Sequence, residues 1–325
     1  MFGQVVIGPP GSGKSTYCFG MYQFLCAIGR KLCIVNLDPA NDRLPYPVCE
    51  LDIRDYITLE DVMDQLGLGP NGGLMYALDS FREVGMESFL KKVESLTKHN
   101  YIIFDCPGQV ELFTHNNILQ NLFKRLTKLK CMRLCVISLI DSIHLTSPSQ
   151  YVSMVLLSLT SMLQLDLPHV NVISKIDMLK SYGNLPLRLD FYTHAQDLKS
   201  LKPYLEKESN SFLGKNFVRL TELIADVVED FSLVSFEVLA IENKQAMINL
   251  LCVIDKANGY TIGSNEIGGD TIWRTLVGIN TLPDFRDVDL HERWIDNKEE
   301  YDEYEKNEQI RALNENEGLI AGDNE

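Results

Sequence analysis

Short apolar runs alternate along the chain with longer stretches in which apolar residues recur every three or four positions. The runs at 4–7, 31–37, 101–104, 134–140, 170–173 and 234–241 read as buried strands. Helical spacing fills the intervals. Cys18, Tyr22, Leu25 and Ile28 mark one helix, with Gly29 as its stop. A second is expected from Thr58 to Leu66, and a third over 74–98, with Ala77, Phe81, Phe89, Leu90 and Val93 facing a core. Ser147-Pro148 supplies an N-cap and a first-turn proline for a helix to about Leu165. Two more helices follow over 212–231 and 244–257, the second ended by Asn258-Gly259. Residues 67–73 hold four glycines and a proline and are expected to form a loop. The polar, irregular stretch 177–211, with Pro186 and Pro203, reads as an insertion carrying short helices. Strand and helix in this alternation predict an α/β fold with a mostly parallel sheet flanked by helices.

The polar residues at the strand ends carry the chemistry. Gly8-Pro9-Pro10-Gly11-Ser12-Gly13-Lys14-Ser15 follows the first strand and opens the first helix, the setting that a phosphate-binding loop requires. Its glycines let backbone N–H groups close on phosphate oxygens, and the helix N-terminus adds partial positive charge. Lys14 is placed for the β- and γ-phosphates, and the Ser15 hydroxyl for Mg²⁺. Pro10, Gly11, Ser12, Gly13 and Thr16 complete the expected contact set.

The second strand ends at Asp38-Pro39-Ala40, which puts Asp38 at the carboxyl edge of the sheet, where ligands of open α/β sheets bind. The third ends in Asp105-Cys106-Pro107-Gly108-Gln109-Val110-Glu111. Asp105 is a candidate for holding Mg²⁺, Gly108 for donating its N–H to a γ-phosphate, and Gln109 for orienting an attacking water. After the fifth strand, Ser174-Lys175-Ile176-Asp177 resembles the guanine-reading N-K-x-D pattern with Ser in place of Asn. The Asp177 carboxylate can accept from the guanine N1–H and exocyclic amine, a pair that adenine does not offer. The Lys175 stem can cover the base plane. Ile241 lies at the end of the sixth strand, where a base-contacting loop is expected.

Composition narrows the class. At 325 residues the chain can bury a large core, and 45% apolar with 23% charged residues is ordinary for a globular protein. The net charge of −15 argues against general nucleic-acid binding. Much of it is local: residues 286–325 hold 14 acidic and 5 basic residues, and the first 285 carry a net of only −6. That end is expected to be a flexible acidic tail, with residues 1–285 as one domain interrupted by a helical insertion at about 178–231. The eight cysteines include no C-x-x-C pair and read as reduced core thiols, and no metal site is expected at Cys131 and Cys135. Met1 leads directly into a strand and no apolar run approaches about 18 residues, so neither a signal peptide nor a membrane span is expected.

Taken together, GPPGSGKST, Asn36-Leu37-Asp38-Pro39-Ala40, Gly69-Pro70-Asn71, the segment at Asp105–Glu111 and SKID resemble the GPN-loop GTPases over roughly residues 2–260. Among the three eukaryotic paralogues the second is most similar. The resemblance implies a P-loop GTPase of the dimerising class that uses GTP/GDP and Mg²⁺, with Asp38, Asn71, Gln109 and Glu111 in the catalytic shell. Asn71 would reach toward the phosphates of a partner subunit. It further implies a homodimer or a heterodimer with other GPN-loop GTPases. The implied role is in assembly and nuclear import of RNA polymerase II, through contact with its subunits or assembly factors, in the cytoplasm with shuttling to the nucleus. Three departures stand out: Ser174 replaces Asn, the phosphate loop lacks the extra early lysine of many relatives in this dimerising class, and no arginine in the GPN loop serves as a finger. Slow, dimer-dependent turnover is therefore expected. A nucleotide-bound adaptor without useful turnover is the alternative. A P-loop nucleoside or polynucleotide kinase is a weaker one, because the insertion has few arginines and SKID argues against it.

Overall fold

The computed structural model describes residues 1–41, 43–97, 100–130, 132–208, 214–260 and 289–307. Seven strands form one all-parallel sheet: β1 (Phe2–Ile7), β2 (Leu32–Asn36), β3 (Leu51–Asp52), β4 (Tyr101–Asp105), β5 (Arg133–Asp141), β6 (His169–Ser174) and β7 (Phe236–Val238). Their order is β3-β2-β4-β1-β5-β6-β7. The six expected strands are all present, although the last is only three residues long. The seventh, β3, consists of two residues beside β2 (Val35 to Leu51, Asn36 to Asp52), too short to leave a periodic signal.

β1 lies at the centre, pairing with β4 on one side and β5 on the other. The chain leaves β1 for one half of the sheet and later fills the other. Its carboxyl end is therefore a topological switch point, where a crevice opens for ligand.

The helices are α1 (Lys14–Ala27), α2 (Leu59–Leu66), α3 (Pro70–Val84), α4 (Met86–Thr97), α5 (Glu111–Thr114), α6 (Ile118–Lys130) and α7 (Pro148–Leu165). They continue with α8 (Leu179–Tyr182), α9 (Leu189–His194), α10 (Lys202–Glu208), α11 (Gly214–Phe231) and α12 (Lys244–Asn258). Successive strand side chains point to opposite faces. Val6, Ile34, Ile103, Ile137 and Val172 accordingly pack with α1, α7, α9, α11 and α12. Val5, Ile7, Val35, Phe104 and Val136 pack with α3, α4, α5 and α6. The caps follow the sequence: the Ser147 hydroxyl accepts from Gln150 N, and Gly259 ends α12 in the left-handed conformation.

Two expectations are corrected. Residues 67–73 are not all loop. Gly69 caps a helix that begins at Pro70, because proline at the first position has φ already set and lacks a donor the helix cannot use. Asn71 and Gly72 therefore lie in the first turn of α3. Helix 74–98 is also two helices, broken at Gly85.

The acidic end differs from a loose tail over 289–307. Residues 290–296 and 298–307 are helical, and Trp294 is buried in the main core with Leu290 and Ile295 against it. A few apolar residues suffice to dock a segment whose charges remain at its surface. The stretch 273–283, the rest of the acidic end and Cys131 lie outside the described residues. Among the described residues the cysteines are free, no helix is long and apolar enough to cross a membrane, and no cluster of three metal-ligating side chains occurs.

At the amino edge of the sheet, Arg30 and Asp255 form a bidentate buried ion pair (3.0 and 2.8 Å), with the guanidinium 4.3 Å from the Tyr260 ring centre. It ties the residue just past α1 to the last turn of α12.

Candidate nucleotide-binding site

The loop after β1 wraps the N-terminus of α1. Gly8 has φ +149°, and a Cβ there would stand 2.4 Å from the Leu139 carbonyl oxygen of β5. Only glycine lets the loop turn this close to the neighbouring strand. The half-buried Lys14 ammonium arches back and donates to the carbonyls of Gly8 (3.0 Å) and Pro9 (3.1 Å). Burial holds its pKa below the ordinary lysine range, with Asp105 and Asp38 pulling the other way.

Asp105 ends β4 beside the loop and is 1% exposed. Burial pushes its carboxyl up to about 6, against the Ser15 hydroxyl and the Lys14 ammonium, which favour the charged form. Its Oδ1 has no hydrogen-bond partner, and neither has the buried Ser12 Oγ. Unpaired buried oxygens are costly. Two of them beside a lysine and a serine hydroxyl fit a site built to receive a cation and phosphate. Gly108 closes the wall: a Cβ there would lie 2.8 Å from Lys14 Nζ and 3.3 Å from Pro10 Cα. Pro10, Gly11 and Thr16 are exposed at the rim.

Asp38 sits at the end of β2 in a turn held by Asn36, whose Oδ1 accepts from Asp38 N (3.1 Å) and whose Nδ2 donates to the Asp38 carbonyl (3.1 Å). The Asp38 carboxylate accepts from Ala40 N (2.9 Å) and lies close enough to act on both Lys14 and Asp105. Gln109 Nε2 donates to Asn71 Oδ1 (2.9 Å), joining the two signature segments within one chain. Asn71 and Glu111 are exposed, and Glu111 opens the short helix α5.

On the other side of the loop, Ser174 is buried, and its hydroxyl lies 2.8 Å from the Ser12 carbonyl and 3.1 Å from the Ile140 carbonyl. It ties the segment after β6 to the phosphate loop instead of standing open as a reader. Lys175 adopts φ +55° and donates to the Gly11 carbonyl (2.8 Å) and to Asp141 (2.6 Å). Asp177 is exposed next to it. Ile241 follows β7 and packs on Gly20 of α1, where a Cβ would meet its Cγ2 at 2.5 Å. One end of the crevice thus gathers Lys14, Ser15, Asp105 and Gly108. The other gathers Lys175, Asp177 and Ile241.

Three residues of the site carried no sequence signal that singled them out. Tyr46 is 4% exposed, and its hydroxyl stands 3.4 Å from Asp105 Oδ2. It comes from a proline-rich stretch without periodicity. Asn36 was visible only as part of a matched segment. Asp141 ends β5 as Asp105 ends β4, and that position could have found it.

Comparison with known proteins agrees with this geometry. A family model described as "Conserved hypothetical ATP binding protein" matches residues 6–260. GPN-loop GTPase 2 of Saccharomyces cerevisiae is 56% identical over 318 residues, 97% of this chain and 90% of the relative. GPN-loop GTPase 2 of Schizosaccharomyces pombe is 52% identical over 306 residues, 94% of each. A crystal structure of an apo-form GTPase from Pyrococcus abyssi superposes with TM-score 0.63 at 24% identity, covering 80% of this chain and 98% of its own, and supports the fold. With the phosphate loop, the strand-end acid and the GPN tripeptide in their places, the chain belongs to the GPN-loop GTPase family.

Proposed function

We infer that this chain binds GTP and hydrolyses it to GDP and phosphate, as a molecular switch. The observation that carries this is the buried Asp105 carboxylate, with one oxygen unpartnered, set against Lys14 and Ser15 of the phosphate loop. Lys14 exchanges the loop carbonyls it now holds for phosphate oxygens, and the backbone N–H groups behind it spread the remaining charge. Ser15 and Asp105 are the residues that would hold Mg²⁺, which when bound supplies charge neutralisation across the phosphates. Gly108 admits the terminal phosphate against the wall. Gln109 is placed to align an attacking water; in the single chain its amide donates to Asn71 Oδ1, a bond that Asn71 gives up on turning toward a partner.

Guanine is the base that fits Asp177, because its carboxylate accepts from both the ring N–H and the amine. We propose further that the working unit is a dimer, with itself or with another member of the family, in which Asn71 acts across the interface. The proposed setting is assembly and nuclear import of RNA polymerase II, beginning in the cytoplasm. What supports these last readings is the family alone.

The test is turnover of GTP against ATP by the purified chain with Mg²⁺ over a dilution series. GTP preference with specific activity that falls on dilution is expected. An Asn71→Ala variant that hydrolyses GTP at the parental rate at every concentration overturns the dimer role of that residue. Equal use of ATP overturns the guanine reading.

A further inference from the structure

The match to the family model ends at residue 260, yet residues 289–307 pack onto the base-reading end of the crevice. Arg293 is the pivot. Its side chain is 8% exposed, and its Nη2 donates to Asp302 Oδ1 (2.8 Å) and to Glu305 Oε2 (3.0 Å). The guanidinium lies 4.4 Å from the Trp294 ring centre. Held this way, Glu305 Oε2 accepts from Asn243 Nδ2 (2.7 Å). Asn243 is also the N-cap of α12, its Oδ1 accepting from Ala246 N (2.8 Å), and it stands two residues after Ile241. From the same segment Lys298 Nζ donates to the Asp177 carbonyl, and His291 Nδ1 accepts from Leu189 N (3.1 Å). Both base-side loops are therefore tethered to one short piece of chain through different residues.

We propose that residues 289–307 form a specificity clamp: Glu305, oriented by Arg293, fixes the Asn243 turn, and Lys298 fixes the Asp177 turn, so that guanine is held only while the segment is docked. This rests on the guanine reading of Asp177. Glu305, Arg293 and Lys298 are positioning residues. They act through the two loops and touch no phosphate-side group. A partner that lifts the segment would release nucleotide from the base end first.

The test measures GDP, ADP and inorganic pyrophosphate binding, and GDP release, on the full chain. Glu305→Ala is expected to weaken GDP about tenfold and to speed its release by a similar factor, as for one lost charge-assisted hydrogen bond. Pyrophosphate binding should stay unchanged. Asn243→Asp keeps the helix cap but sets like charges together, and should behave alike. Adding Glu305→Gln to it restores a donor–acceptor pair and should bring GDP affinity back to within about twofold of the parent. If Glu305→Ala fails to fold, the exposed-side variant Lys298→Ala decides by the same split, with a loss of about threefold. Parental GDP affinity in these variants, or an equal loss for GDP and pyrophosphate, overturns the clamp. A parent that binds ADP as well as GDP removes the guanine reading and the clamp with it.

Discussion

The two ends of the crevice are built on different plans. The phosphate end is local: one loop, the first residues of α1 and the end of the adjacent strand β4 supply Lys14, Ser15, Asp105 and Gly108. Asp105 and Ser12 are buried there with one unpartnered oxygen each, beside the half-buried Lys14 and Ser15. The base end is assembled from distant pieces, residues 174–177, 241–243 and 289–307, whose side chains mostly bond one another or the phosphate loop, with the buried Arg293 Nη1 left unpaired. An unsatisfied buried end waits for a charged ligand. An end whose base-facing Asp177 is exposed and whose other side chains bond distant parts of the chain must rely on the arrangement of its neighbours to select one. Affinity should therefore be concentrated in the first and selectivity in the second.

The largest effect that tests this contrast is Lys14→Ala. Turnover should fall about a thousandfold, because preorganised charge on a transferring phosphoryl group is the main catalytic contribution in such sites. Binding of pyrophosphate should fall with it, measured by calorimetry. If guanosine nucleotides bind as before, the phosphate end does not supply the affinity.

Next comes pH. Asp105 has its carboxyl raised by burial to about 6, so in the free protein the folded state holds a proton that the unfolded chain, with an ordinary carboxyl near 4, has released. Stability of the free protein should therefore fall as pH rises from about 4 to about 6, by about 2–3 kcal/mol, and then level off. Asp105→Asn should flatten that dependence in urea titrations. In the same window Mg²⁺-dependent GTP affinity should move the other way, weakening as pH drops below about 6. A profile that is identical in the variant would show that another group titrates.

A smaller effect is expected at Ser174→Ala, which removes the tie from the base side to the Ser12 carbonyl. A loss of about 1 kcal/mol, or roughly fivefold in GDP affinity, is expected, with GTP still preferred over ATP. If the preference itself disappears, Ser174 reads the base directly.

The same contrast explains what could be read in advance. The phosphate end was legible because its chemistry is contiguous: eight residues from Gly8 to Ser15 specify loop, charge and helix start together. The acid at Asp105 was found by its place at the end of an apolar strand, and Asp38 likewise. The base end was legible only as SKID and a strand end. Nothing in Arg293 or Glu305 marks them, since an arginine among acids looks the same whether solvated or buried against Trp294. Tyr46 was missed because no periodicity surrounds it. The GPN tripeptide was read as loop because its glycines suggest one. Proline at a helix start explains why it is not.

The ion pair between Arg30 and Asp255 acquires a meaning from this arrangement. Helix α1 begins at the phosphate cradle and α12 begins at the turn behind the base pocket. Both run away from the crevice; Ile241, three residues before α12, meets Gly20 in the middle of α1, and the far ends are joined through Arg30 and Asp255 by two buried hydrogen bonds. The spacing between their near ends, from the phosphate cradle to the turn behind the base pocket, is therefore braced by a joint at the opposite edge of the sheet.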